Sequence, residues 1–575
     1  MSVRRMMKER KKFGKKQINI IGHPGTGKTT TLANKLINLL EVAEPDEIVA
    51  TSFSRSASRR MIQKLREFGI NADDLKYFRT THSLAAAALD LKEESQFVFP
   101  EDAEAFFKEH GIEYWKKHTT IDDIELYGYI GSYDIDFALG NRLQAYYQFL
   151  KRVRIHDDEV AAAIKRREFF DRFGLEKHSS AWVLEIYEAW EAEKKLKGKY
   201  EYEDMLVEAL EDERFPTRAS FGLVDEAQDL SPLQIELLSL WLRDAEKVFV
   251  AFDVMQTIYF FNGSSPELIL SLQRDEERIL DRSYRVPKVP WEYAKRIALL
   301  NNIRTVEKVR PAEKEGDVLF IRRDDVPKVL RRLQQQQQHQ NAFLLFRRND
   351  WALDFIGDLF KKENLLLKGM GHIATLAQDS YFELQYNCIY KLYHDELPTF
   401  EEIRSIITRI PAEYLKRGVK TRFVKRPDEA LKLFRERKVQ RLLSGASESG
   451  RGGDASLFFS FFRRIGSVKE LQEILKEPRV YFGEGHRGQF IRKMLTSINE
   501  QSPPFNSMNA YAGTYHSAKG LEADNVILFD YLPPRKADLF EERCLTFVGL
   551  TRTKNNVYIV PVENFEGIIE RDIMG

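Results

Sequence analysis

Short apolar runs alternate along this chain with longer stretches of helical periodicity. Residues 17–21 read Gln-Ile-Asn-Ile-Ile, followed by a glycine-rich turn and a helix start, and a second apolar run at residues 47–52 lies one helix further on. Strand, turn, helix and strand in that order predict a βαβ unit and a parallel sheet. Strand patterns return at 221–225 and 247–252, after a stretch from residue 85 to about 198 that is mostly helical in pattern. Beyond Asp281 a second series follows at 317–321, 342–346, 510–515, 525–529 and 557–560. The glutamine run at 334–338 reads as a helix end or loop, residues 401–500 as helical, and the Gly/Ser-rich residues 444–453 as a flexible loop. The pattern predicts two α/β cores, each carrying a mostly helical insertion, with no internal repeat of fixed short period.

A length of 575 residues fits several domains rather than one core. The formal net charge of +1 carries no sign of an acidic partner, so any such sign must be local. Residues 91–140 are net −8, whereas residues 401–500 are net +9. The basic excess fits either a phosphate-binding surface or a solvated helical face. Aromatics make up 12% of the chain, enough to stack on bases as well as fill cores. The two cysteines, Cys388 and Cys544, are far apart, so neither a disulfide framework nor a zinc site is expected. No apolar run is long enough to span a bilayer, and the basic residues 1–16 read as a solvated tail rather than a secretory signal. A reducing, cytoplasmic setting is the expectation.

The candidate chemistry begins at Gly22-His23-Pro24-Gly25-Thr26-Gly27-Lys28-Thr29, which fits G-x-x-x-x-G-K-S/T between a strand and a helix. Glycines let backbone N–H groups close on phosphate oxygens, and the helix N-terminus adds a favourable field. Lys28 would reach the β- and γ-phosphates, and Thr29 would hold Mg²⁺. Phe221-Gly-Leu-Val-Asp225-Glu226-Ala-Gln-Asp229 supplies the apolar strand ending in acids. There Asp225 would hold Mg²⁺ through water and Glu226 would polarise the attacking water. These elements make a nucleoside triphosphate hydrolase but do not say what it moves.

The string from Leu223 to Asp229 resembles the D-E-x-Q-D element of UvrD/Rep-type DNA helicases of superfamily 1A. Other stretches follow in that family's order: Thr51-Ser-Phe53-Ser-Arg-Ser-Ala-Ser58, Thr80-Thr81-His82-Ser83, Asp253-Val-Met-Gln256-Thr-Ile-Tyr259-Phe-Phe261-Asn262-Gly263, Leu280-Asp-Arg-Ser-Tyr284-Arg285, Thr514-Tyr-His516-Ser-Ala-Lys-Gly520-Leu-Glu522, and Glu542-Arg543 through Phe547-Val-Gly-Leu-Thr551-Arg552-Thr-Lys554. Any one motif is weak, but the ordered set is specific and covers nearly the whole chain.

The resemblance implies two RecA-like parallel-sheet motor cores: a first core at 1–85 and 199–280 with a helical insertion at 86–198, and a second at 281–375 and 508–575 with a basic helical insertion at 376–507. It implies that Gln256 senses the γ-phosphate, that Arg285 and Arg552 reach it as arginine fingers, that Tyr284 stacks on adenine and that Glu522 contacts the ribose. Gly22 through Thr30 would complete the ATP site. Phe53, Thr81, His82, Tyr259, Phe261, Asn262, Thr514 and His516 fall where the family contacts DNA, and Tyr202-Glu-Asp204-Met-Leu resembles a supporting element.

The implied activity is an ATP- and Mg²⁺-dependent 3′→5′ DNA helicase and single-stranded DNA translocase. Its expected substrates are single strands and single/double-strand junctions, with replication or repair proteins as possible partners, no membrane, and a monomer or weak oligomer. A partner-dependent translocase that displaces proteins, or a nucleotide-dependent assembly switch, stays open. The sequence departs from the family at Phe252 for Gly, Asn262 for a DNA-contacting Arg, and Thr30 for a frequent Arg. No upstream glutamine motif is visible, so adenine selectivity rests on Tyr284. Neither a long C-terminal tail nor a fused nuclease is expected.

Overall fold

The structure, a computed structural model, describes residues 11–52, 61–63, 65–67, 69–71, 75–115, 138–153, 157–335, 340–371, 380–443, 455–477, 486–505, 509–533 and 538–574. Phe53 with most of its motif, and the loop expected at 444–453, lie outside these residues.

Six strands, β1 Gln17–Ile21, β2 Ile48–Ser52, β3 Phe78–Thr80, β4 Phe221–Asp225, β5 Lys247–Phe252 and β6 Glu276–Ile279, form one all-parallel sheet in the order β3-β2-β4-β5-β1-β6. Six more, β7 Asp317–Phe320, β8 Ala342–Phe346, β9 Lys368–Gly369, β10 Ala510–Thr514, β11 Ala523–Asp530 and β12 Thr553–Pro561, form a second all-parallel sheet in the order β7-β12-β11-β8-β10-β9. The two α/β halves read from the apolar runs are therefore present. The runs themselves correspond to nine of these strands. β3, β6 and β9 are additional, each short and at or next to a sheet edge, where no apolar run is required.

Parallel sheets are covered on both faces, and side chains alternate between them. In the first sheet Ile18, Ile20, Ile48, Ala50, Leu223, Phe249 and Ala251 pack with Leu32, Ala33 and Leu36 of the helix Lys28–Leu40. Val49, Val224, Val248 and Val250 face the other way, against Leu233, Leu237 and Leu238 of the helix Pro232–Trp241. The second sheet divides likewise. Leu344, Phe346, Ala512, Ile527 and Phe529 join a core that runs on into the helices of residues 380–498, and Leu345, Val526, Leu528, Val557 and Ile559 pack with Trp291 and Phe547. Each fully buried Leu or Ile contributes about 1.5–3 kcal/mol.

The helices between β3 and β4 have a core of their own, built on Phe106, Phe107, Tyr146, Tyr147 and Trp190. A knot of buried charge fastens them to the first sheet's half. The Lys151 ammonium lies 2.5 Å from Asp204 and 2.7 Å from Glu191, and that of Lys194 lies 2.7 Å from Asp204 and 2.9 Å from Glu201. The three carboxylates are close enough together to hold a metal ion, but two ammonium groups already sit among them. Burial opposes both lysine charges, and the surrounding acids more than offset it, raising both pKa values. The element read as structural support, Tyr202 to Leu206, belongs to this knot. In it Glu203 accepts from Arg152 Nε at 2.7 Å, and the helix Tyr202–Glu211 packs on the helix Thr81–Ala88.

Candidate nucleotide site and strand-contact surface

Register decides where the chemistry collects. β5 runs between β4 and β1, pairing Ile21 with Phe252 and Val224 with Val250. The loops leaving β1, β4 and β5 therefore emerge side by side at the carboxyl edge of the sheet, where parallel sheets bind ligands. The β1 loop turns through Gly25 (φ 75°) and Gly27 (φ 84°), a left-handed backbone that favours glycine. A side chain on Gly22 would collide with Lys28 Cγ, so the loop closes tightly on its own lysine. The Lys28 ammonium donates to the Gly22 carbonyl at 2.7 Å and is buried. Thr29 and Thr30 occupy the first turn of the helix that follows.

Thr29 Oγ1 lies 3.3 Å from Asp225 Oδ2. A hydroxyl beside a buried carboxylate, both hard oxygen donors, fits Mg²⁺. Glu226 follows in a left-handed conformation (φ 51°), and Gln228 Nε2 donates to its carboxylate at 2.7 Å. The other end of the Gln228 amide accepts from the Asp253 backbone at 3.1 Å, so one glutamine links the loops after β4 and β5.

The second half supplies the rest. Arg552 is buried. It donates Nη2 to Gln256 Oε1 at 3.2 Å and Nε to the Val548 carbonyl at 3.0 Å. Gln256 Nε2 donates to Asp253 Oδ2 at 2.7 Å. Burial alone would raise the Asp253 pKa, but His23, Lys28 and Gln256 together hold it at about 2. Arg285 pairs with Glu522 at 2.6 Å, and Lys554 takes the second oxygen of Glu522 at 2.6 Å. These two cations outweigh burial and keep the Glu522 carboxyl below its ordinary range. Tyr284 is 73% exposed, lies under the Arg282 guanidinium at 5.3 Å, and is anchored by its backbone N–H to the Gly25 carbonyl at 2.9 Å. Lys28, Thr29, Asp225, Glu226, Gln256, Arg285, Arg552, Tyr284 and Glu522 thus line the seam between the halves. Gln17 is buried inside the fold, accepting from the Phe13 backbone, and takes no part.

Some strand-contact candidates meet at the same seam. His516 lies 6.3 Å from the Tyr259 ring and 6.1 Å from that of Phe261, and those two rings meet edge to face at 5.8 Å. The Lys519 ammonium caps the Tyr259 ring at 4.7 Å. Burial pushes the His516 imidazole down to about 3, so it is neutral, and its Nε2 donates to the Ile258 carbonyl at 3.1 Å. His82 stands elsewhere, edge to face with Tyr202, which is half exposed; burial lowers its pKa to about 4. Thr81, Asn262 and Thr514 are buried: Thr81 lies 3.3 Å from the Thr51 hydroxyl, and Thr514 caps the Ser517 N–H. Of the three, Thr514 holds backbone, Thr81 meets a side-chain hydroxyl, and Asn262 Oδ1 is buried with no hydrogen-bond partner among the described residues.

Sequence reading did not single out Lys519, whose ammonium bridges Asp229 at 2.5 Å and the Gln256 carbonyl at 2.7 Å across the seam. It also passed over Arg347, which holds Glu542 through Nε and Nη2 at 2.9 Å each. Lys519 stands inside a recognised motif and was findable there. Arg347 follows an ordinary strand and carries no local signal.

The sequence model described as the UvrD/REP helicase N-terminal domain matches residues 5–277, and that of the UvrD-like helicase C-terminal domain matches residues 509–560. Together they cover more than half of the chain. Among curated proteins, the chain is 22% identical over 394 residues to a probable DNA helicase II homolog of Mycoplasma capricolum, covering 60% of this chain and 49% of that one. It is 21% identical over 481 residues to the putative ATP-dependent DNA helicase YjcD of Bacillus subtilis, covering 69% and 60%. It is also 21% identical over 370 residues to the ATP-dependent DNA helicase PcrA of Staphylococcus aureus, covering 60% and 48%. The chain spans about half to three fifths of the length of these relatives.

Proposed function

The chain belongs to the UvrD/REP helicase family, and from that premise we propose that it is an ATP-dependent 3′→5′ DNA helicase and single-stranded DNA translocase. One observation supports this above the rest: the phosphate loop and the Arg552 guanidinium come from different halves and meet through Gln256. A site assembled from two bodies links nucleotide occupancy to their separation, and alternate closing and opening moves a bound strand.

In this mechanism the β1 loop and Lys28 hold the phosphate tail. Thr29 and Asp225 would hold Mg²⁺, which when bound neutralises charge on the β- and γ-phosphate oxygens. Glu226, oriented by Gln228, accepts a proton from the attacking water. Arg285 and Arg552 stabilise the charge that spreads over the transferred phosphoryl group. Tyr284 and Glu522 take the base and ribose. Tyr259, Phe261 and His516 form a stacking surface for successive bases, tolerant of sequence because every base has a π face. The domain limits given above are part of the proposal. So is phosphate contact by the exposed Lys416, Arg417, Lys425 and Arg426 of the second helical region.

The test is strand separation of two labelled duplexes, one with a 3′ tail and one with a 5′ tail, in ATP and Mg²⁺, with Lys28→Ala as control. Opening of the 3′-tailed duplex alone, lost in the control, is expected. Opening only from the 5′ tail overturns the direction. Hydrolysis stimulated by single strands without opening of either duplex replaces unwinding by partner-dependent translocation.

A further inference from the structure

His23, the second residue of the phosphate loop, is 1% exposed, and both of its ring nitrogens are engaged. Nδ1 lies 3.0 Å from Asp253 Oδ1 and Nε2 lies 2.9 Å from Thr305 Oγ1. Asp253 belongs to the loop after β5 in the first half. Thr305 lies in the short helix Arg304–Lys308, which packs on the helix Lys288–Leu300 of the second half's core. The imidazole also meets Trp291 and Phe547 of that core, at ring-centroid distances of 6.2 and 6.3 Å. Phe547 stands in the helix Leu539–Leu550, just before Arg552. The His23 carbonyl shapes the loop itself, accepting from the backbone N–H and the hydroxyl of Thr26.

A phosphate loop needs no imidazole for its work, since backbone N–H groups and the lysine hold the anion. The ring's partners lie on both sides of the seam. Its first carboxylate partner continues the chain of contacts: Asp253 Oδ2 receives Gln256 Nε2 at 2.7 Å, and Gln256 Oε1 receives Arg552 Nη2 at 3.2 Å. Because a carboxylate only accepts, Nδ1 donates to Asp253, while the Thr305 hydroxyl, able to donate or accept, meets Nε2. One side chain therefore grips the phosphate loop's neighbour in its own half and the opposite half at once.

We propose that His23 is a positioning residue, a latch across the seam that makes the phosphate loop, Gln256 and Arg552 move as one unit when the halves close. The proposal rests on the ATPase reading above. Hydrolysis then depends on the latch through the alignment of Arg552, whereas ATP affinity, set by the loop backbone and Lys28, does not.

Steady-state ATPase with and without an oligo(dT) strand tests it in the full chain, using His23→Phe, Thr305→Val and the double variant. His23→Phe keeps a ring between Trp291 and Phe547 but loses both hydrogen bonds, and Thr305→Val keeps the shape of the opposite partner. Each single change is expected to lower strand-stimulated kcat by about tenfold with KM for ATP moving by less than about twofold. The double variant is expected to be no slower than the slower single variant, the signature of one shared interaction. Unchanged kcat in His23→Phe, a rise in KM that accounts for the loss, or a double loss equal to the product of the two single losses would overturn the latch. An unmodified chain with no strand-stimulated hydrolysis would overturn the ATPase reading, and the latch with it, before any variant is compared.

Discussion

Arg552 and Gln256, 296 residues apart in the chain, meet side chain to side chain across the seam between the two sheets, with Nη2 donating to Oε1 at 3.2 Å. The amide cannot turn over without loss, because its nitrogen is committed to Asp253 at 2.7 Å. The guanidinium is equally constrained by the carbonyls of Val548 and Leu521.

Arg552→Lys keeps the charge and discards the planar fork that makes these contacts together. A point charge on a flexible stem leaves Gln256 and the phosphoryl group misaligned. Single-turnover phosphate release is expected to slow by about 10³-fold or more, the scale of an arginine finger. A variant that hydrolyses ATP within a few-fold of the unmodified chain would remove Arg552 from the mechanism.

Glu226→Gln is expected to retain ATP and lose its hydrolysis. The substitution preserves volume and a hydrogen-bonding oxygen toward Gln228, but not the basicity that accepts a proton. General-base catalysis is worth about 10²–10⁴-fold, so kcat should fall by that factor. Equilibrium binding of a non-hydrolysable ATP analogue should be unchanged. Loss of analogue binding in step with kcat would assign Glu226 to binding instead.

Tyr259→Ala and Phe261→Ala address the stacking surface. Each is expected to weaken oligo(dT) binding by about 1–3 kcal/mol, read by fluorescence anisotropy. Stacking releases no counterions, so the slope of log Kd against log salt should stay the same in both variants. A shallower slope would mean that the loop carrying these rings had moved a phosphate contact with it.

Much of this was legible in the chain. Nine of the twelve strands among the described residues are apolar runs, and all but the exposed edge strand β7 are so because buried parallel strands must be apolar on both faces. β3 and β9 lie at sheet edges and β6 reads Glu-Glu-Arg-Ile, so no such run marks them. The residues of the nucleotide site sit in local motifs, since a turn of fixed geometry needs fixed residue types. What joins them was not legible. His23 to Thr305, Lys519 to Asp229 and Arg347 to Glu542 each span more than 190 residues, and their partners carry no spacing a reader could find. Burial of Thr81, Asn262 and Thr514 was equally hidden, because a motif gives position along the chain and not depth.

Lys194→Met probes the knot between the first helical region and its sheet. It removes a cation that is 4% exposed and leaves Glu201 and Asp204 with one ammonium, that of Lys151, beside Asp204. Breaking a buried ion pair from one side costs about 3–5 kcal/mol, which urea unfolding would register as a lower midpoint. An unchanged midpoint would mean that water reaches the acids once the lysine is gone.

Glu541 gives the molecule a pH dependence of its own. It lies in the first turn of the helix Leu539–Leu550 and is buried, and its Oε1 has no hydrogen-bond partner among the described residues. Its neighbour Glu542 takes Arg347. Burial, reinforced by the Glu542 charge, pushes the Glu541 pKa from 4.5 up to about 8, against the pull of Arg347 and Arg172. A carboxyl raised on folding favours the protonated native state. Its stabilising contribution is full below pH 4.5 and is lost as pH rises through about 8. Each pKa unit corresponds to about 1.4 kcal/mol, so the full swing is several kcal/mol. Glu541→Gln does not titrate and mimics the protonated form. Its melting temperature relative to the unmodified chain should therefore climb steadily between about pH 5 and about pH 8 and level off above. A difference that stays flat over that range would show that Glu541 is ionised and solvated in the folded protein.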